Sequence, residues 1–273
     1  MSLGGVFMTD TDGNIGSSVT TSTEKVTGLL FDISKQTKFF TEGPGLAVKD
    51  KLEGKVIEIN SMKDLEELGI TPYTGDNAKD LLFGIPYYHI NHFFGIQGEI
   101  GRLFIAFADC GLNWDVIESM QRAADGMINQ LGVWTEQSLW KQTDPSAEAY
   151  SIDLVTSLNS KAIALADENA PLSIVLSANS AVVENTDGES KQVELNKIPT
   201  CVIGSRYVSV LLSQGLDTDV TAMHLANENA TPVGVIGAAL GCLALASVQE
   251  SIAWVNKFNL IGYFPDIEYK THI

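Results

Sequence analysis

Short, nearly continuous apolar runs alternate along this chain with stretches whose apolar residues recur at helical spacing. The runs at 26–34 (VTGLLFDIS), 55–60 (KVIEIN), 103–109 (LFIAFAD), 133–140 (VWTEQSLW), 171–179 (PLSIVLSAN) and around 206–212 have the length and composition of strands. They are runs rather than strict alternations, which predicts strands covered on both faces. Ser61 opens SMKDLEELGI with Asp64 three residues on, an approximation to a capping box at a helix start. Leu81, Leu82, Ile85 and His89 share one helical face with Phe93 beyond them, and Pro86 inside that pattern predicts a kink or a restart. Asn113 as N-cap, with Val116, Met120, Ala123, Ala124 and Met127 at helical spacing, predicts a helix over 113–132. Asp144-Pro145 predicts the start of another, and 233–246 reads as a Gly/Ala-rich one. The polar stretch after 180 reads as a long loop or hairpin.

This alternation predicts an α/β fold: a mixed sheet with helices on both faces, preceded by an extended N-terminal arm. Residues 1–24 form the arm, 25–256 the core, with a candidate subdivision near 111–170, and 257–273 a C-terminal tail. The arm is Gly, Ser, Thr and Asp around the apolar beads Val6, Phe7 and Ile15; the tail carries Phe258, Leu260 and Ile261. Extended segments with spaced apolar anchors are suited to adding as strands to a sheet elsewhere.

Composition narrows the function. With 45% hydrophobic and 19% charged residues, the chain can bury a sizeable core. A formal net charge of −17 argues against nucleic acid and against anionic membrane surfaces, both of which need a basic face. Cys110, Cys201 and Cys242 are sparse and far apart, as buried thiols in a reducing compartment would be. The N-terminus lacks the basic and apolar regions of a signal peptide. The Gly/Ala stretch at 231–250 falls short of the ~20 apolar residues that span a bilayer, and reads as a buried helix.

Catalytic motifs are scarce. His89 and His92, three apart, could present two metal ligands on one helix face, but Asp80 and Glu99 do not supply an evident third, so packing or surface residues are the preferred reading. His224 and His272 stand alone. Asp10-Thr-Asp-Gly is a fragment of a calcium loop without its closing Glu. Ser205 lacks the second glycine of a nucleophile elbow. Gly234, Gly237 and Gly241 precede or enter a helix after a polar loop, and predict close helix–sheet packing rather than a dinucleotide site. Asp109 and Asn179, at strand ends, mark where an α/β enzyme or ligand-binding protein would place a site. No catalytic set, metal or cofactor is predicted.

The order of segments resembles that of phage tail sheath proteins. An arm (LGGVFMTDTDGNIG) runs into a strand, KVIEIN feeds SMKDLEELGI, HINHFFGIQGEIGRLFIAFAD joins a helix ending in two phenylalanines through a glycine turn to a strand, and ENATPVGVIGAALGCLALASVQESIAWV is a proline followed by a small-residue helix. The whole is most similar to the short sheath-like proteins of contractile tails in Bacteroides-type phages and injection systems. The resemblance implies a structural subunit with no cofactor and no enzymatic activity. Such subunits assemble in the bacterial cytoplasm and reside in the virion tail. They stack with copies of themselves as hexameric rings around an inner tube protein, with baseplate proteins as further partners. Terminal arms add strands to neighbouring subunits. Many sheath proteins carry a longer region after the small-residue helix; here about twenty residues follow Trp254, as in a short or truncated member. The competing expectations are the α/β enzyme with its site near Asp109 and Asn179, and a membrane-associated protein using 231–250.

Overall fold

The computed structural model describes residues 26–36, 39–42, 44–72, 78–97, 101–144, 149–184, 190–192, 205–211 and 233–245. Both arms, with Val6, Phe7, Ile15, Phe258, Leu260 and Ile261, lie outside the described residues, as do Cys201, His224 and His272. In chain order the elements are β1 (Val26–Asp32), a 3-10 turn (Pro44–Val48) leading into α1 (Lys49–Leu52), β2 (Val56–Ile59), α2 (Met62–Leu68), α3 (Ala78–Gln97) and β3 (Arg102–Ala108). There follow α4 (Asp115–Ala123), β4 (Gln130–Asp144), β5 (Ala149–Ser151), α5 (Asp153–Asp167), β6 (Ser173–Glu184), β7 (Ser190–Gln192), β8 (Val208–Val210) and, last, α6 (Ile236–Leu245).

The strands form one mixed sheet. β1 lies between β3 and β4, parallel to both; β4 is parallel to β6, and β6 to β8. β2 pairs antiparallel with β3 at the outside. The parallel strands taken alone therefore run second, first, third, fourth, fifth, the order of a doubly wound sheet. Their helices follow suit. α3 and α6 pack on one face, α4 and α5 on the other, as reversing the winding direction after β1 requires when each crossover keeps the same hand. Being central, β1 is buried at every position, which is why VTGLLFD is an unbroken apolar run closed by one acid.

One face holds an aromatic core: Phe31 stacks on Phe107 at 5.1 Å, and Phe39 meets Phe107 at 5.8 Å and Phe40 edge-on at 4.9 Å. The other face packs Ile117 and Met120 of α4 and Leu158 and Ala162 of α5 against Leu30, Leu131 and Leu176.

Several expectations hold. Ser61 caps α2 in a full capping box: its hydroxyl accepts from the Asp64 N–H, and the Asp64 carboxylate accepts from the Ser61 N–H. Gly69 ends α2 in the left-handed conformation at φ 94°, where a side chain would be strained. β6 and β7 form the hairpin read after residue 180.

Others are corrected. The helix expected over 113–132 stops at Ala123, because Asp125 (φ 53°) and Gly126 (φ 73°) turn the chain and Gln130–Gly132 are drawn into β4 between β1 and β6. Asn113 is not the N-cap: Trp114 precedes the helix without a side-chain cap, and the Asn113 Oδ1 accepts from the Asp115 N–H at 3.1 Å in the turn leading into it. The helix expected from Asp144-Pro145 begins at Asp153, since Ala149–Ser151 pairs instead with the end of β4. α3 does not restart at Pro86; the helix runs through it, its Ile85, His89 and Phe93 held by burial. The glycines of α6 face a helix rather than the sheet. A Cβ on Gly237 would stand 1.9 Å from the His89 carbonyl oxygen, and one on Gly241 3.0 Å from that of Phe93.

β4 and β6 are longer than their sequence runs. Beyond Thr135 and Ser177 they continue as a ribbon to Lys141 and Glu184, flanked by β5 and β7. Register shifts between Trp134 and Trp140 separate this ribbon from the parallel core.

Candidate functional site

A doubly wound sheet offers its ligand crevice at the carboxyl ends of the strands where winding reverses, here between β1 and β4. The residue at that point is Asp32, the last of β1 and 1% exposed. Its Oδ1 accepts from the backbone N–H of Ser34 and of Cys110, both at 3.0 Å. Its Oδ2 accepts from the hydroxyls of Ser34 (2.9 Å) and Thr135 (2.6 Å) and from the Gln137 amide (2.7 Å). Gln137 also donates to the Gly111 carbonyl at 2.9 Å. It reaches both because the register shift after Trp134 re-aims the strand there.

Five neutral donors thus surround a buried carboxylate, and no cation pairs with it among the described residues. A carboxylate whose lone pairs are all engaged is a poor base or nucleophile and an effective tie. Asp32 joins the ends of β1, β3 and β4, and occupies the crevice with protein.

Beside this knot lies a cavity of about 370 Å³ with Ile33, Gln36, Phe39, Phe107 and Asp109 in its wall. Glu136 stands close by, accepting from Gln36 Nε2 at 3.1 Å. Burial pushes its carboxyl up from the ordinary range; the Gln36 hydrogen bond opposes this and the negative charge of Asp32 adds to it. Asp109 is exposed at the end of β3. Asn179 is buried two strands beyond β1, opposite Ser138, so Asp109 and Asn179 do not converge: three strand spacings separate them by about 14 Å.

The histidines lie elsewhere. His89 is fully buried and His92 nearly so, among Tyr88, Phe31 and Trp134. Among the described residues no three of His, Cys, Asp and Glu come together as a metal site. Cys110 and Cys242 are buried free thiols; burial raises both, Cys242 to about 11, so neither is a ready nucleophile. Among the described residues no helix is long and apolar enough to cross a membrane.

Sequence reading named Asp109 and Asn179 and passed over Asp32, Thr135 and Gln137. The available signal was an acid closing an otherwise apolar strand with Ser two residues on. Nothing local linked it to Thr135, which lies 103 residues away.

Compared with protein-family models, curated proteins and solved structures, the chain matches none of them.

Proposed function

We propose that the chain is a structural subunit of a contractile tail sheath, self-assembling as stacked hexameric rings around an inner tube and bound at one end by baseplate proteins. The observation that carries this reading is where the core hands over to its two terminal segments. β1 begins at Val26, and Thr27 is in register with Gln130 at the start of β4. α6 runs back along β4, from Val233, whose carbonyl accepts from Trp134 Nε1 at 3.0 Å, to Leu243, whose carbonyl accepts from Gln130 Nε2 at 3.4 Å. The start of β1 and the end of α6 therefore lie at the same end of the sheet, the amino ends of its parallel strands. A described core that begins and ends on one side suits a lattice connected by terminal strands added to neighbours. β2 at the sheet margin pairs only with β3 among the described residues, and its outer backbone groups suit it as an acceptor edge. The knot at Asp32 supports the same reading, since it fills with protein the crevice an enzyme of this topology would use.

Deleting residues 1–22 tests the proposal. The expected product is a folded monomer with near-native circular dichroism that no longer forms rings or tubes in negative stain. A truncated chain that assembles like the full one removes the arm from the mechanism; a full chain that stays monomeric under all salt and crowding conditions removes the sheath reading.

The cavity beside Asp109 favours a second reading, an α/β protein that binds a small molecule there. A thermal-shift screen of nucleotides and metabolites separates the two, because a ligand of the native state alone raises the melting temperature.

A further inference from the structure

His89 holds α6 in place by capping it from another helix. Gly237 is the second residue of α6, and its N–H is one of the first-turn donors that an α-helix cannot satisfy internally. It donates to His89 Nδ1 at 3.4 Å. The approach is open only because residue 237 has no side chain to meet the His89 carbonyl. Three side chains tie the segment to the core through hydrogen bonds: Trp134 to Val233, His89 to Gly237, and Gln130 to Leu243. Of these only His89 has an ionisable side chain.

We propose that this joint is an acid-sensitive latch, in which protonation of His89 releases α6 from α3. Three effects act together. An imidazolium has no lone pair for the Gly237 N–H. It would stand at the positive end of the α6 dipole. It would also be a buried charge, and among the described residues no acidic side chain faces it. On α3 the neighbours are Tyr88 and His92; α6 carries Cys242 and no charged residue; β1 presents Phe31, and β4 presents Trp134. Asp32 and Glu136 belong to the knot and its surroundings, and neither carboxylate acts on the His89 ring. The folded protein accordingly holds His89 down to about 3, through burial first and the charge of His92 second, with the Val233 backbone offsetting this only in part. Nε2 has no partner at hydrogen-bonding geometry, so that offset is weak.

In the released state His89 regains its ordinary value of 6.5. The opening equilibrium should then rise about tenfold per pH unit below 6.5, one proton being taken up on opening. The inference stands apart from the sheath reading, because it concerns the isolated subunit.

Native-state hydrogen exchange on the full chain from pH 7.5 to 4.5, corrected for intrinsic rates, tests it. Protection of the α6 amides should fall about tenfold per unit below 6.5 and stay well below that of β1 and β3, which exchange only when the whole fold opens. In His89→Asn, whose amide oxygen can accept from Gly237 without titrating, the slope should vanish. Level α6 protection in the wild-type chain overturns the latch; so does the same slope in His89→Asn, or α6 protection equal to that of β1 and β3 at every pH, which would mean that α6 opens only with the whole fold. Should that variant not fold, NMR titration of the His89 ring in the wild-type chain decides: a folded-state value near 6.5 overturns the proposal, and a ring that stays neutral to well below it supports it.

Discussion

Two buried polar side chains stand on opposite faces of the same sheet, and they are treated differently. Asp32 is a charge with five donors around it. His89 is a neutral ring with one long hydrogen bond and one nitrogen left without a partner. The first is expensive to bury and fully compensated; the second is cheap to bury while neutral and uncompensated once charged. Compensation ties the Asp32 end of the molecule together through hydrogen bonds to β3 and β4 neighbours. Its lack makes the α3–α6 joint conditional. Stability in this fold is thus distributed unevenly, and the conditional part is the element next to the C-terminal segment.

The contrast can be broken most forcefully at Gly237. Gly237→Ala should destabilise the protein by about 3 kcal/mol or more, because the added carbon meets backbone that cannot step aside. Gly241→Ala, whose Cβ would have 3.0 Å to the Phe93 carbonyl, should cost clearly less; urea unfolding of the pair checks the ranking. Equal stability of Gly237→Ala and wild type would show that the helices are not in backbone contact.

At the other end, Asp32→Ala leaves the Thr135 hydroxyl, the Gln137 amide and the Cys110 N–H without their acceptor, and should cost roughly 3 kcal/mol. Asp32→Asn should cost less, since one oxygen still accepts. If both variants unfold at the wild-type urea midpoint, the knot contributes nothing.

The pH dependence sharpens the comparison. His89 has a depressed value in the folded state, so its contribution is fully present above 6.5 and is lost as pH falls, by about 1.4 kcal/mol per unit until the folded value near 3 is approached. Glu136 acts with the opposite sign. Its raised value means that the folded state gains relative stability as pH falls through that value. Subtracting the His89→Asn profile from the wild-type profile isolates the histidine, and a flat difference between pH 6.5 and 4.5 would remove His89 as the sensor.

The smallest effect belongs to the surface. Arg102 meets Glu58 with Nε–Oε1 at 2.6 Å and Nη2–Oε2 at 3.1 Å, two-pronged but solvated, and this lowers Glu58 through the hydrogen bond first. Arg102→Ala should shift stability by no more than about 1 kcal/mol and less at high salt; a larger loss would mean that the β2 margin depends on this pair.

Local chemistry made much of the fold legible. β1, β2, β3 and α6 fall within a few residues of their apolar runs, and the capping box at Ser61 and Asp64 is present as read. The failures share one cause. Residues 130–132 carry helical spacing yet join β4, and 149–151 follow a helix-start signal yet form β5, because pairing partners far along the chain offered hydrogen bonds that local preference could not weigh. The candidate site was hidden for the same reason. Asp32 looks unremarkable until β3 and β4 bring Cys110, Thr135 and Gln137 to it.

His89 and His92 are read from sequence as packing or surface residues rather than ligands, and the structure buries both. Their spacing is a property of α3 alone. What His89 does is a property of the tertiary structure, because its acceptor nitrogen meets a donor 148 residues away across a contact that only a glycine admits. By itself the sequence determined most of the strands and helices and that the sheet would be covered on both faces, since apolar periodicity is a local quantity. Strand order, the winding reversal, the knot and the latch were decided by the tertiary structure, where burial turns a polar atom from an inexpensive surface group into one whose partners govern stability.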